Sequence, residues 1–184
     1  MKENKIYLTK YAMYYGALLG IYWTVNLALG VIVIQLPSWA AIIAGFSNIM
    51  TIGVVFLTYW FTVQYRKKAL NNSLGIFHGW QFGVMLFFYA ALVSAIPQYI
   101  YLEFLAPDNL ISQIYQQSAQ VMKSIGTDPE VLKKAVEQMP TSPASMTIQN
   151  IFNCVFLGVL VSIPVALFAK RKPKKDANLV DVSN

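Results

Sequence analysis

The residues of this chain that could do chemistry are few and far apart. His78 is the single histidine, and a lone histidine can shuttle protons near neutral pH. Glu103 stands near the end of an apolar run, and a carboxylate embedded in a membrane can couple proton movement to transport. Cys154 is the single cysteine, which leaves no internal disulfide and no Cys/His metal spacing. No serine or threonine has a histidine or carboxylate visibly placed in the sequence to activate it. We therefore expect no catalytic site, and we expect no metal or cofactor site either.

A structural interpretation stands beside the proton-titrating one for both residues. His78 lies about one turn inside a predicted helix, next to a basic loop and without an acid or second histidine nearby in that helix. This setting favours an interfacial histidine. Glu103 lies beside Tyr99 and Tyr101 at a predicted membrane border, where a solvated rim carboxylate is the simpler interpretation.

Four amide side chains, one from each of four predicted helices, form a candidate intramembrane polar layer. Each lies about six to ten residues from the outer end of its helix, or roughly 9–15 Å at about 1.5 Å per residue. Buried amides need partners, and cross-helix hydrogen bonds typically contribute about 0.6–2 kcal/mol each. The pattern fits either a structural clamp or the lining of a small ligand or solute cavity. The four residues are Asn26, Asn48, Gln98 and Asn153.

The elements that must position these residues are long apolar segments. The sequence is 57% hydrophobic and 12% charged, against about 45–50% and about 25% in soluble domains. A helix needs about 20 apolar residues to cross the hydrocarbon core. The sequence therefore predicts an all-α polytopic membrane protein, with four transmembrane helices in one membrane domain over residues 1–184. The four predicted helices cover residues 11–36, 39–65, 76–105 and 147–169.

The connections between these helices differ in length. Only Pro37 and Ser38 separate the first two helices, which predicts a tight antiparallel hairpin with Ser38 as the N-cap. The connection 106–146 has apolar residues at helical spacing and a Thr-Asp-Pro-Glu run typical of a capping box. It predicts an extracytoplasmic insert of two short amphipathic helices. A basic cytoplasmic tail is expected over 170–184.

The positions of the charges predict the orientation. The formal net charge is +6, and 11 of the 14 lysines and arginines flank the apolar runs in three clusters on one predicted side. This positive-inside pattern predicts a multi-pass membrane protein with both termini cytoplasmic. Charges placed in this way do not form a nucleic-acid-binding stripe, so no nucleic-acid partner is expected.

Small residues recur at intervals of four in each predicted helix, interrupted once at Ile49 in the second and once at Phe87 in the third. Positions four apart share a helix face, and small side chains there let two membrane helices approach closely. The ridges fit either a compact bundle or a contact between copies of the chain. They are Ala12, Gly16, Gly20, Thr24 and Ala28 in the first helix; Ala41, Gly45 and Gly53 in the second; Gly75, Gly79, Gly83, Ala91 and Ala95 in the third; and Cys154, Gly158, Ser162 and Ala166 in the fourth.

Three sequence runs carry a family resemblance. The third helix opens on Gly-Ile-Phe-His-Gly-Trp-Gln-Phe-Gly over 75–83, and Tyr-Ile-Tyr over 99–101 and Phe-Leu-Ala-Pro-Asp over 104–108 follow. With the four-helix layout and the acidic insert, the chain resembles the bacterial domain-of-unknown-function family 4199 over nearly its whole length. The resemblance implies the four-helix architecture and a location in the bacterial inner membrane, and it assigns no activity. Gln81 departs from the family, whose members often carry a basic residue near this position.

The functional expectation follows from these patterns. The leading hypothesis is an interaction or accessory protein, or a homo-oligomer, of unassigned process in the inner membrane. The alternative is a small transporter or channel that uses the outer-leaflet polar layer. The expected partners are membrane lipid and either a second copy of the chain or a larger membrane complex. No enzymatic activity is expected.

Overall fold

The computed structural model describes residues 2–35, 37–107, 110 and 142–171, and within these ranges it is helical with no strand. A 3-10 turn, Pro37–Trp39, precedes the second helix, and a π-helical turn, Tyr101–Leu105, continues the third. All four helices are long and apolar enough to cross a membrane, so the prediction of an all-helical, multi-pass membrane protein is confirmed. The helices are α1, Lys2–Gln35; α2, Ala40–Ala69; α3, Ile76–Ile100; and α4, Pro143–Ala169.

Three helix ends differ from the sequence prediction. Helix α1 begins at Lys2, and α2 continues through the basic cluster to Ala69. Lysine and arginine are good helix formers, and their charge is favourable near a helix C-terminus. Helix α4 begins at Pro143 because Ser142 accepts a hydrogen bond from the amide of Ser145, as an N-cap does, and proline suits the first helical position.

The prediction that Ser38 caps the second helix is wrong. The residue at the N-cap position of α2 is Trp39, and no side chain caps this helix end. Proline fixes its own φ near the helical value, and Pro37 starts a 3-10 turn that includes Ser38. Most of the predicted insert over 106–146 lies outside the described residues, and its last four residues belong to α4.

The chain divides into two compact units, of which the first comprises Met1–Ser94 and Asn153–Asn184. Each helix buries one face in this unit and exposes large apolar side chains on the other, as at Phe56, which is 71% exposed. Lipid is the solvent that such faces require. The core contains Leu8, Ala12, Tyr15 and Leu19 from α1; Val54, Phe61 and Tyr65 from α2; Phe82, Leu86, Phe87 and Ala90 from α3; and Ala169 from α4.

Small residues set the closest helix contacts in the first unit. A Cβ atom added at Gly20 would lie 2.8 Å from the carbonyl oxygen of Ala90, and one added at Gly16 would lie 2.8 Å from that of Leu86. Helices α1 and α3 therefore touch backbone to backbone at these glycines. By contrast, a Cβ added at Gly45 would meet no atom within 4 Å.

The second unit comprises Ala95–Phe152. Its described part contains the last turns of α3, the π-helical turn and the first turns of α4. A hydrogen bond of 2.6 Å from the amide of Asn150 to the side-chain oxygen of Gln98 joins the two helices. Leu110 is buried, and its amide donates to the carbonyl oxygen of Pro107.

Candidate functional site

His78 lies against a buried tyrosine. The Tyr65 hydroxyl and His78 Nε2 are 2.7 Å apart, and their rings stack with centroids at 5.8 Å. On its other side Tyr65 stacks on Phe82 at 4.3 Å with nearly parallel rings. Tyr65 is fully buried and His78 is half-buried. The pair can hold or pass a proton between the two side chains, so the structure gives the single histidine a defined partner.

Arg66 follows this tyrosine and is buried at 8% exposure. Its guanidinium donates a hydrogen bond of 2.6 Å to the carbonyl oxygen of Ala169, the last residue of α4. The last carbonyls of a helix have no intrahelical partner, so Arg66 acts as a side-chain cap for α4. Its Nε is buried and has no hydrogen-bond partner among the described residues.

The loop after α2 brings the end of α4 to the start of α3. Asn71 and Asn72 have φ angles of 46° and 61°, the left-handed region that asparagine tolerates better than most residues. Beyond this reversal, the amide of Leu74 donates to the carbonyl of Arg171 at 2.9 Å, and the amide of Arg171 donates back at 3.0 Å. These two bonds fix the backbone of Arg171 beside the start of α3.

The basic residues of three sequence-distant segments meet at one end of the first unit. Tyr11 packs on Tyr65 with ring centroids 5.7 Å apart, so the neighbouring Lys10 lies at the same end of the unit as Arg66. The Arg66 and Leu74 contacts with the end of α4 bring Lys170 and Arg171 to the same place. Among the described charged side chains this basic end holds Lys10, Arg66, Lys67, Lys68, Lys170 and Arg171.

The structure places the predicted amides in different surroundings. Asn26 is half-buried, and its side-chain oxygen accepts a hydrogen bond from the Ser47 hydroxyl. Asn48, the next residue of α2, is exposed. Gln98 binds Asn150 in the second unit. Asn153 is exposed and makes polar contacts of its own. The observed bonds thus pair two predicted amides with side chains outside the predicted set, and a layer of all four stays a prediction.

Glu103 is exposed and lies within the π-helical turn Tyr101–Leu105. A π-helical turn inside or beside an α-helix is rare and is frequent at functional sites. The apolar pattern of the sequence gives no signal for this change of helix type.

Within the described ranges no group of three His, Cys, Asp or Glu side chains could hold a metal ion.

Two features of the site escaped sequence reasoning. Arg66 looked like one of three equivalent loop charges, yet it alone of them is buried. Ser162 is fully buried against Gly83, where a Cβ atom would clash with it, and its hydroxyl has no partner among the described residues. The small-residue ridges were the only signal for the second contact, and nothing in the sequence separated Arg66 from Lys67 and Lys68.

Comparison with known proteins gives one match. A family model described as a protein of unknown function (DUF4199) matches residues 11–171. The match covers most of the chain and confirms the resemblance seen in its sequence runs. No curated protein and no solved structure matches the chain significantly.

Proposed function

The chain belongs to the DUF4199 family of proteins of unknown function, and we propose that it acts through helix–helix association in a bacterial inner membrane. It is either a homo-oligomer or an accessory subunit of a larger membrane complex, and it catalyses no reaction of its own. The observation that carries the proposal is an exposed amide on an exposed small-residue face of α2.

That face is formed by positions on one side of the helix. Ala41, Gly45, Asn48 and Ile52 are spaced by four, three and four residues, and all are exposed. Residues at this spacing share one face of an α-helix. Gly45 has open space where a Cβ atom would be, which is the condition under which a second backbone can approach closely. This set is called the α2 face below.

Asn48 makes lipid alone a poor neighbour for the α2 face. It lies eight residues from the start of α2 at Ala40, or about 12 Å at about 1.5 Å per residue. An amide without partners in an apolar medium costs several kcal/mol, whereas an amide bonded across a helix interface contributes about 0.6–2 kcal/mol. A second helix against this face would supply both the bond and the close packing.

Every ridge glycine of the other three helices except Gly75 lies against a neighbouring helix. Gly16 and Gly20 of α1 lie against α3, and Gly158 of α4 lies against the side chain of Phe87. These glycines are therefore not free to contact another molecule. The difference between them and Gly45 is the reason for assigning the contact to α2.

We also assign the basic end to the cytoplasmic side. Described basic residues from three separate parts of the sequence lie there. Positive charge next to membrane helices is retained on the cytoplasmic side during insertion. Both termini of the chain would then be cytoplasmic.

The test is the mass of the gently purified protein together with whatever travels with it. The wild type should elute as a defined oligomer or with a stoichiometric partner, and Asn48→Leu and Gly45→Leu should release the monomer. Gly30→Leu is the matched control, because Gly30 of α1 is also exposed and has nothing within 4 Å of a Cβ position. A wild type that is monomeric and alone would reject the proposal.

A small transporter or channel is the alternative, and the π-helical turn that carries Glu103 is the observation that favours it. If this carboxylate moves protons, Glu103→Gln should abolish proton flux into vesicles of the purified protein, followed with a pH-sensitive dye. Flux at the wild-type rate would remove Glu103 from any such mechanism.

A further inference from the structure

An apolar groove opens between the first turns of α3 and the second half of α4. It is lined by Ile76, Phe77, Trp80 and Ile163, and its volume is about 320 Å³. Ligand pockets in proteins have volumes of about 300–1,000 Å³, so the groove has room for part of a chain-like apolar molecule. The indole nitrogen of Trp80 donates to the carbonyl oxygen of Val159 at 3.2 Å, which holds this ring at the groove.

Two exposed cations follow the same stretch of α4. Lys170 and Arg171 are both exposed. The paired hydrogen bonds hold the Arg171 backbone beside Leu74, which lies two residues before the groove residue Ile76. The wider basic end adds Arg66 and its lysine neighbours. The only carboxylate among the described side chains is Glu103, beyond the C-terminus of α3. Among the side chains that the structure describes, an anion at this place would therefore meet positive charge only.

The spacing between groove and cations fits the depth profile of a phospholipid. Ile163 precedes Lys170 by seven residues, which corresponds to about 10 Å along a helix. Lysine and arginine at the ends of membrane helices reach the headgroup level. The groove then lies just below that level, where the first part of an acyl chain begins.

We propose that this groove binds one acyl chain of an anionic phospholipid, whose phosphate is held by Lys170 and Arg171. The apolar lining supplies the contact with the chain, and the cations supply the preference for a negatively charged headgroup. Each lysine or arginine near an anionic membrane surface strengthens binding roughly fivefold. The site is distinct from the α2 face and does not depend on the proposed oligomer.

The experiment uses tryptophan fluorescence in vesicles that contain lipids with brominated acyl chains, since bromine quenches an adjacent indole. One protein keeps Trp80 alone and another keeps Trp60 alone, with the remaining three of the four tryptophans replaced by phenylalanine. Trp60 is the matched control, because it is exposed on α2 and lies six residues before Arg66, at a similar distance from the basic end. Brominated phosphatidylglycerol is compared with brominated phosphatidylcholine of the same chains.

We expect Trp80 to be quenched at least about fivefold more effectively per molecule by the anionic lipid, while Trp60 is quenched equally by both. In the Trp80 protein, Lys170→Gln with Arg171→Gln should remove most of this preference. Lys67→Gln with Lys68→Gln removes the same charge from α2 and should leave most of the preference. All four side chains are exposed, so these variants should fold.

Several outcomes would overturn the site. Equal quenching of Trp80 by the two lipids would show ordinary lipid contact. An equal loss of preference in both charge variants would show a general surface potential. Release of the anionic lipid by inorganic phosphate at millimolar concentration would show that the cations bind free phosphate and that the groove does not contribute to binding.

Discussion

Arg66 shows how a membrane-border cation is accommodated when it does not face water. Its guanidinium replaces part of its hydration with the carbonyl of Ala169, while one N–H of the group has no partner among the described residues. A buried charge is stable only where hydrogen bonds compensate its lost solvation. The same hydrogen bond caps the C-terminus of α4, so the Arg66 side chain links α2 to α4.

Replacement of this arginine by methionine should therefore lower stability. Arg66→Met keeps a long flexible stem but leaves the Ala169 carbonyl without its donor, which we expect to cost about 1–3 kcal/mol in the free energy of unfolding. Lys67→Met removes the same charge from an exposed neighbour and should change it by less than about 0.5 kcal/mol. Thermal unfolding in detergent micelles, followed by circular dichroism, measures both. Equal losses would contradict the capping role.

At the scale of elements, α1 and α3 are held by close backbone contact. Membrane helices gain little from the hydrophobic effect when they associate, because lipid is as apolar as the side chains. Gly20 lets α1 approach the carbonyl of Ala90 and the side chain of Val93. This closeness brings many atoms of the two helices into van der Waals contact.

A single methyl group tests that contact. In Gly20→Ala, the added Cβ would lie 2.7 Å from the Val93 Cβ and 2.8 Å from the Ala90 oxygen, so the helices must separate, at a cost of about 1–3 kcal/mol. Gly30→Ala on the same helix meets nothing within 4 Å and should be neutral or slightly stabilising, because alanine favours the helix. Unfolding in a graded series of denaturing detergent compares the two. A neutral Gly20→Ala would refute the close approach.

The same elements show what the sequence could and could not predict. Apolar runs identified the four helices, and spacing by four identified the glycines that α1 and α4 bury. Depth in the membrane follows from counting residues, but rotation about the helix axis does not, since one position turns a side chain by about 100°. Ser47 therefore meets Asn26 while Asn48 is exposed. The Tyr65–His78 bond depends on the left-handed turn at Asn71 and Asn72, which no periodicity reveals.

At the scale of the whole molecule, the charge distribution and the helix lengths together predict how the protein is oriented in the membrane. The end of α4 lies at the basic end through Arg66, and the helix runs for 27 residues from Pro143. At about 1.5 Å per residue that is about 40 Å, more than the roughly 30 Å of the hydrocarbon core. The two ends of α4 should therefore face opposite sides of the membrane.

Cysteine labelling decides which side is which. In a Cys154→Ser background, Lys68→Cys and Ala144→Cys each place one thiol at an exposed position. A membrane-impermeant maleimide added to intact spheroplasts should label Ala144→Cys and reach Lys68→Cys only after permeabilisation, because the basic clusters stay cytoplasmic. The opposite pattern would invert the topology and move the lipid groove to the outer leaflet. Labelling of both thiols in intact cells would mean that α4 does not cross the membrane.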